Sequence, residues 1–200
     1  MSKPQKTKAI TPATQAQILE AAWALIAAEG RPDAGLAEIA ARASVSRQTV
    51  FYAFGNRAGV LTAMARHQDT RTDHVARIQA AVFGPEPSAA SVVAAVEAWV
   101  DYLPVIYPVG ILLDAASLTD EAAAEAWRDR MVEALLGGFK VLLGRVHARS
   151  PLGGDPGRIA EEIWAEVHPT MWRRLVVECG WTPAAFRARC LRVVRGLVGA

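Results

Sequence analysis

Cysteine is scarce in this sequence: Cys179 and Cys190 are the two among 200 residues. Neither stands at zinc-finger spacing from a histidine, which argues against a disulfide framework or a structural zinc, and both read as ordinary buried thiols. No run of 18 or more apolar residues occurs. Met1 to Thr11 is Lys-rich and polar where a signal peptide needs an apolar segment, so a cytoplasmic chain without membrane contact is expected. A Gly-rich phosphate loop, an HExxH pair and a G-x-S-x-G elbow are all missing, which argues against an enzyme. Glu162, Glu166 and His168 do not share one helical face, so no metal is expected, and nothing calls for a cofactor. Lysine is nearly confined to the start, where Lys3, Lys6 and Lys8 form a basic arm; Lys140 is the only other.

What is present suits a globular protein. With 52% hydrophobic and 21% charged residues the chain can fill the core of one domain or two small ones. The net charge of +2 hides an uneven distribution. From Arg42 to Arg71 five arginines face a single acid, Asp69, giving 5 minus 1, or +4. Alone, such a segment is as consistent with a solvated face as with nucleic-acid binding.

Helical periodicity dominates and no sustained alternation of period two occurs, so the fold class is all-α. A first helix is expected over about Pro12 to Glu29, with Ile18, Ala22, Leu25 and Ile26 on its core face and Gly30 ending it. A short second helix follows, about Leu36 to Ala43. Ser44, Val45 and Ser46 make a tight turn, and Ser46 is a good N-cap for a third helix, Arg47 to Phe54, that buries Val50 and Phe54. Two short helices joined by a three-residue turn and braced by a longer one meet the needs of a helix-turn-helix. In the first turn of the third helix Arg47 can fork onto guanine, Gln48 can bond adenine and Thr49 can meet thymine or a phosphate. A polar turn in an ordinary three-helix bundle is the competing reading.

The segments "ILEAAWALIAAEG" and "LAEIAARASVSRQTVFYAFGNRAGVL", followed by a helical remainder, resemble a TetR-family transcriptional regulator, specifically over about residues 15 to 64. The resemblance implies an N-terminal three-helix helix-turn-helix DNA-binding domain, a linking fourth helix, and a C-terminal helical ligand-binding and dimerisation domain. It assigns DNA contacts to Arg47, Gln48, Thr49 and Phe51 beside the capping Ser46, and phosphate contacts to Tyr52 and Arg57. The sequence departs from the family at Ser44, where Gly is usual and a left-handed residue is expected, and at Ala53 and Gly55-Asn56-Arg57. The expected division is 1–56 for DNA, including the basic arm, and 57–200 for ligand and dimer, with a linking helix at about 57–82.

Beyond that helix, further ones are expected at about 88–103, 106–116, 119–147, 156–179 and 183–198, Pro104 and Pro108 interrupting the chain and opening a cavity. Five of the six Trp lie in this region. Trp99, Tyr102, Leu103, Tyr107, Leu112, Trp127, Met131, Trp164, His168 and Trp172 are the candidate walls of a pocket for an apolar or aromatic inducer. Aromatics at helical spacing are also ordinary core. A homodimer is expected through Ile163 and Val167 on one helix and Phe186, Cys190, Val193, Val194 and Leu197 on the last. The chain therefore reads as a repressor released from a palindromic double-stranded operator by a small inducer. The alternative keeps the DNA-binding end and places it under a partner protein without an inducer.

Overall fold

A computed structural model describes residues 10–200; the basic arm of Lys3, Lys6 and Lys8 lies outside the described residues. These residues form eleven α-helices and no strand.

The N-terminal elements follow their local signals. In α1 (Pro12–Glu29) Thr11 accepts the Thr14 amide, Pro12 opens the first turn, and Gly30 closes the helix at φ 66°. The second helix, α2 (Leu36–Arg42), begins where Glu38 Oε2 takes the Gly35 amide at 2.9 Å. Ser44 then adopts φ 53°, the one non-glycine residue with positive φ among the described residues, as a turn usually given to glycine demands. Gln17 Nε2 donates to the Ala43 carbonyl at 2.8 Å and braces this turn from α1. α3 (Arg47–Phe54) follows, capped by Ser46.

The linking helix is broken, contrary to the single span expected. α4 (Arg57–Asp69) and α5 (His74–Phe83) are separated at Thr70–Asp73. Side chains there compete for the backbone: Thr70 Oγ1 donates to the His67 carbonyl at 2.7 Å, and Thr72 Oγ1 pairs with His74 Nδ1 at 2.6 Å.

The opposite correction holds at α6 (Ala89–Ala116), which runs straight through Pro104 and Pro108. Both prolines are exposed and four residues apart on one side, so water can serve the carbonyls they leave unpaired. Val100, Leu103 and Val109 on the other side are buried and hold the helix in place. α6 is long and apolar enough to cross a bilayer by length and composition, but much of its apolar surface is inside the core.

From Glu121 the chain is helical to Arg149: α7 (Glu121–Trp127), a π-helical stretch (Arg128–Leu136) and α8 (Gly137–Arg149). α9 (Pro156–Glu166) ends before the short α10 (Pro169–Trp172), which Pro169 starts and His168 caps, and a second π-helical stretch (Arg173–Glu178) follows. α11 (Pro183–Val198) closes the fold.

Two apolar cores result. One gathers Ile18, Ile26, Ile39 and Val50 from the first three helices with Val60, Leu61 and Met64 of α4, and reaches Val109, Leu113, Ala123 and Ala126. The other joins α5, α6, α8, α9 and α11 around Leu103, Phe139, Ile163 and Phe186. α4 therefore packs into the first core and against α7 at once.

The apolar stripe expected at a dimer face points inward. Ile163, Val167, Phe186, Cys190 and Val194 are fully buried within the one chain, and Val193 and Leu197 are half-buried. The cause is α6, against whose flank α11 packs. Cys179 is exposed, not buried as expected, because it ends the π-helical stretch at the turn into Gly180. Cys190 is buried, which pushes its thiol up to about 11.

Candidate nucleic-acid interface and ligand cavity

The third helix presents a polar, partly aromatic face over an apolar anchor. Val50 is fully buried, whereas Arg47, Gln48, Phe51 and Tyr52 are exposed. Ser46 Oγ accepts the Thr49 amide at 3.0 Å and lies 2.8 Å from Thr49 Oγ1. The hydroxyls of Ser46 and Thr49 are thus engaged with each other and with the cap. Gln48 Nε2 donates to Tyr52 Oη at 3.0 Å, and the Phe51 and Tyr52 rings meet edge to face at 6.3 Å. Arg47 enters no ion pair among the described residues. Its guanidinium and the Gln48 amide form a donor-rich edge suited to purine edges.

Arg57 has a different position from the one its motif implies. Its guanidinium pairs with Asp120 at 2.6 Å, donates to the Ala34 carbonyl at 2.9 Å and also bonds the Pro32 carbonyl. A side chain so enclosed is withdrawn from any phosphate. It ties the loop after α1 to the start of α7 instead. Burial would raise the Asp120 carboxyl, but hydrogen bonds from Arg57 and the Ala123 amide, with the Arg57 charge, hold it below its ordinary value.

Two further ion pairs follow along the same helix. Arg66 pairs with Asp129, and Asp69 with Arg130. Three charge pairs therefore join α4 to the segment 120–130 along its length, and in the last of them Asp69 is the more enclosed partner.

A cavity lies behind this row, between α4, α6 and the π-helical stretch, with about 490 Å³ of atom-free space that partly opens to solvent. Of the ten expected pocket residues it brings together Trp99, Tyr102, Trp127 and Met131. The others lie off it. Leu103 is in the core, and Leu112 packs against the N-terminal core. Tyr107 and Phe186 flank Trp172 at 6.4 and 5.2 Å, tilted and edge to face, as an aromatic cluster of the C-terminal core.

Trp127 and Trp164 each meet the His168 ring edge to face, at 5.2 and 5.4 Å. His168 Nδ1 accepts the Thr170 amide at 3.2 Å, capping α10, and burial lowers its pKa despite the opposing pull of Asp114. Missing from the sequence-based set are Asp69 and Arg130 on the cavity wall, and His74 just behind it. Their only signal was charge inside a polar stretch, which a solvated surface gives equally well.

Residues 18–64 match the family described as bacterial regulatory proteins, tetR family. No curated protein matches the sequence. Solved structures share the fold at low identity. A TetR-family transcriptional regulator from Rhodococcus sp. has a TM-score of 0.72 and 19% identity, over 94% of this chain and 100% of that one. The SmeT–triclosan complex gives 0.70 and 19%, over 92% and 90%. The TetR-like regulator LfrR from Mycobacterium smegmatis, in complex with proflavine, gives 0.52 and 25%, over 90% and 93%.

Proposed function

We propose, from the match of residues 18–64 to the tetR family of bacterial regulatory proteins, that the chain is a regulator of that family: a cytoplasmic repressor that binds a palindromic operator as a homodimer and is released by a small, mostly apolar inducer. The observation that carries this reading is α3, whose Ser46 cap and buried Val50 fix a helix that holds Arg47, Gln48 and Tyr52 in solvent. Residues 1–56 read DNA and 57–200 hold ligand and partner, with α4 common to both. Arg47 and Gln48 contact base edges; Tyr52 and the Phe51 edge meet the backbone and the thymine methyls.

The apolar cavity, and the complexes of similarly folded SmeT with triclosan and LfrR with proflavine, support an inducer. Release requires the inducer to favour an arrangement of the two DNA-reading ends that does not fit the operator, since equal affinity for both shifts nothing. The ion-pair row supplies the coupling. A ligand that moves segment 120–136 drags α4 through Asp120, Asp129 and Arg130, and α4 shares its core with the first three helices.

For the dimer, the buried stripe leaves the outer side of the chain end, where Val177 and Trp181 are 58% and 38% exposed beside Ala184, Ala185 and Ala188 of α11. Exposed apolar surface of this kind suits a symmetric partner face. Val177→Asp combined with Trp181→Ala is expected to sediment as a folded monomer with much weaker operator binding. A dimer of unchanged strength would place the interface elsewhere. The functional reading as a whole is tested by measuring purified protein on its selected DNA while compounds are screened for release. Specific DNA binding that no compound weakens, but a protein partner abolishes, would replace the inducer with that partner.

A further inference from the structure

The cavity has an apolar body and one polar pole. Trp99, Ile106, Leu113, Trp127 and Met131 form the body. At the pole Asp69 pairs with Arg130 and lies 3.5 Å from His74 Nε2, while the His74 ring stacks flat on Tyr102 at 3.6 Å. Every group there has a partner except one. The Tyr102 hydroxyl, on a residue only 3% exposed, lines the cavity beside the Asp69 carboxylate, and among the described residues it meets no acceptor at full hydrogen-bonding geometry. Burial first, then the Asp69 charge and the attraction of its carboxylate for the hydroxyl proton, raise its pKa far above the ordinary phenol value against the opposing Arg130 charge, so it remains an O–H donor across the working pH range.

An unpaired hydroxyl in such a place costs free energy that a matching ligand group would recover. The charges at the pole already cancel, so a charged ligand would bring an unpaired ion into a site with little water. A route in is also present. A second hollow, between α5 and the π-helical stretch, is lined by His74, Ile78, Ala134 and Leu135 and shares Trp99 and Arg130 with the cavity. The π-helical stretch forms the wall of both, and such irregular turns are frequent at binding sites.

Resting on the inducer reading above, we propose that Tyr102 is the specificity-determining contact, and that the inducer is an uncharged, largely aromatic molecule with a hydroxyl or carbonyl that pairs with the Tyr102 hydroxyl. It enters between α5 and the π-helical stretch. Its polar atom arrives next to Asp69 and Arg130, the pair that ties the end of α4 to the cavity wall. The same group that is recognised therefore touches the row that couples cavity to DNA.

The test compares 2-naphthol with 2-methylnaphthalene, which differ by hydroxyl against methyl, by calorimetric titration of the full chain and its Tyr102→Phe variant. The wild type is expected to prefer 2-naphthol by about tenfold or more, and the variant to bind both within about twofold of each other. Circular dichroism confirms that the variant is folded. Equal affinities in the wild type, or a preference that survives in Tyr102→Phe, would overturn the Tyr102 contact and leave the inducer reading standing. Binding of neither compound would overturn the proposed inducer class, while the inducer reading itself stands or falls with the screen for release from DNA.

Discussion

Replacing Arg47 and Gln48 by alanine is expected to abolish sequence preference while leaving the fold intact. Both side chains are exposed, and neither contributes to the core that Val50 anchors. Each bidentate contact to a purine edge is worth about 1 to 3 kcal/mol of discrimination, so the double variant should lose roughly 30-fold to 10⁴-fold in the ratio of selected to random DNA. Binding to random DNA should change far less, since only Arg47 carries a charge. Tyr52 also loses the Gln48 amide that now bonds its hydroxyl, so the single variant Gln48→Ala tests whether that contact positions Tyr52. Competition binding against selected and random duplexes measures the ratio. Selectivity retained in the double variant would move base readout off this helix.

Arg57→Ala is expected to cost stability, not phosphate affinity. It strips Asp120 of its partner and leaves the Pro32 and Ala34 carbonyls without their donor. The pair is partly enclosed, so the loss should be about 2 to 4 kcal/mol, and the melting temperature should fall by roughly 5 to 15 °C. The slope of log affinity against log salt should stay unchanged, because a side chain bonded inside the protein releases no counterion from DNA.

Acid should show the same linkage. Asp120 is held below its ordinary value in the folded chain, so its contribution is complete above the ordinary carboxylate range and is lost as pH falls towards the lowered value. Arg57→Ala should therefore lose less stability on acidification than the wild type. A slope reduced by about one unit, at an unchanged melting temperature, would instead restore Arg57 as a phosphate ligand.

The contrast between these two residues shows where the sequence is legible. Arg47 and Gln48 are placed by local rules: a Ser cap, a helical period and a glycine stop fix which side of eight residues faces water. α1, α3 and α11 begin and end where their caps and prolines put them, for the same reason. Arg57 is decided by Asp120, which is 63 residues away in the chain, and no local pattern announces that partner.

Asp69, His74 and Arg130 escaped for the same cause, since they look like surface charge until the fold brings them together. Proline misled in α6 because its penalty depends on which side of the helix it occupies, and both prolines fall on the exposed one. Helical stripes carry a similar ambiguity. The period of α11 shows that Phe186, Cys190 and Val194 are covered, but not whether a second chain or α6 covers them.

Reading of an operator by α3 is tested most directly by sequencing the DNA that the purified protein retains from a random pool. Two inverted half-sites should be enriched, with centres about one helical turn or a small multiple of it apart, and Arg47→Ala and Gln48→Ala should each relax particular positions within both halves. A retained pool with no common sequence, or one that the two variants enrich unchanged, would contradict it.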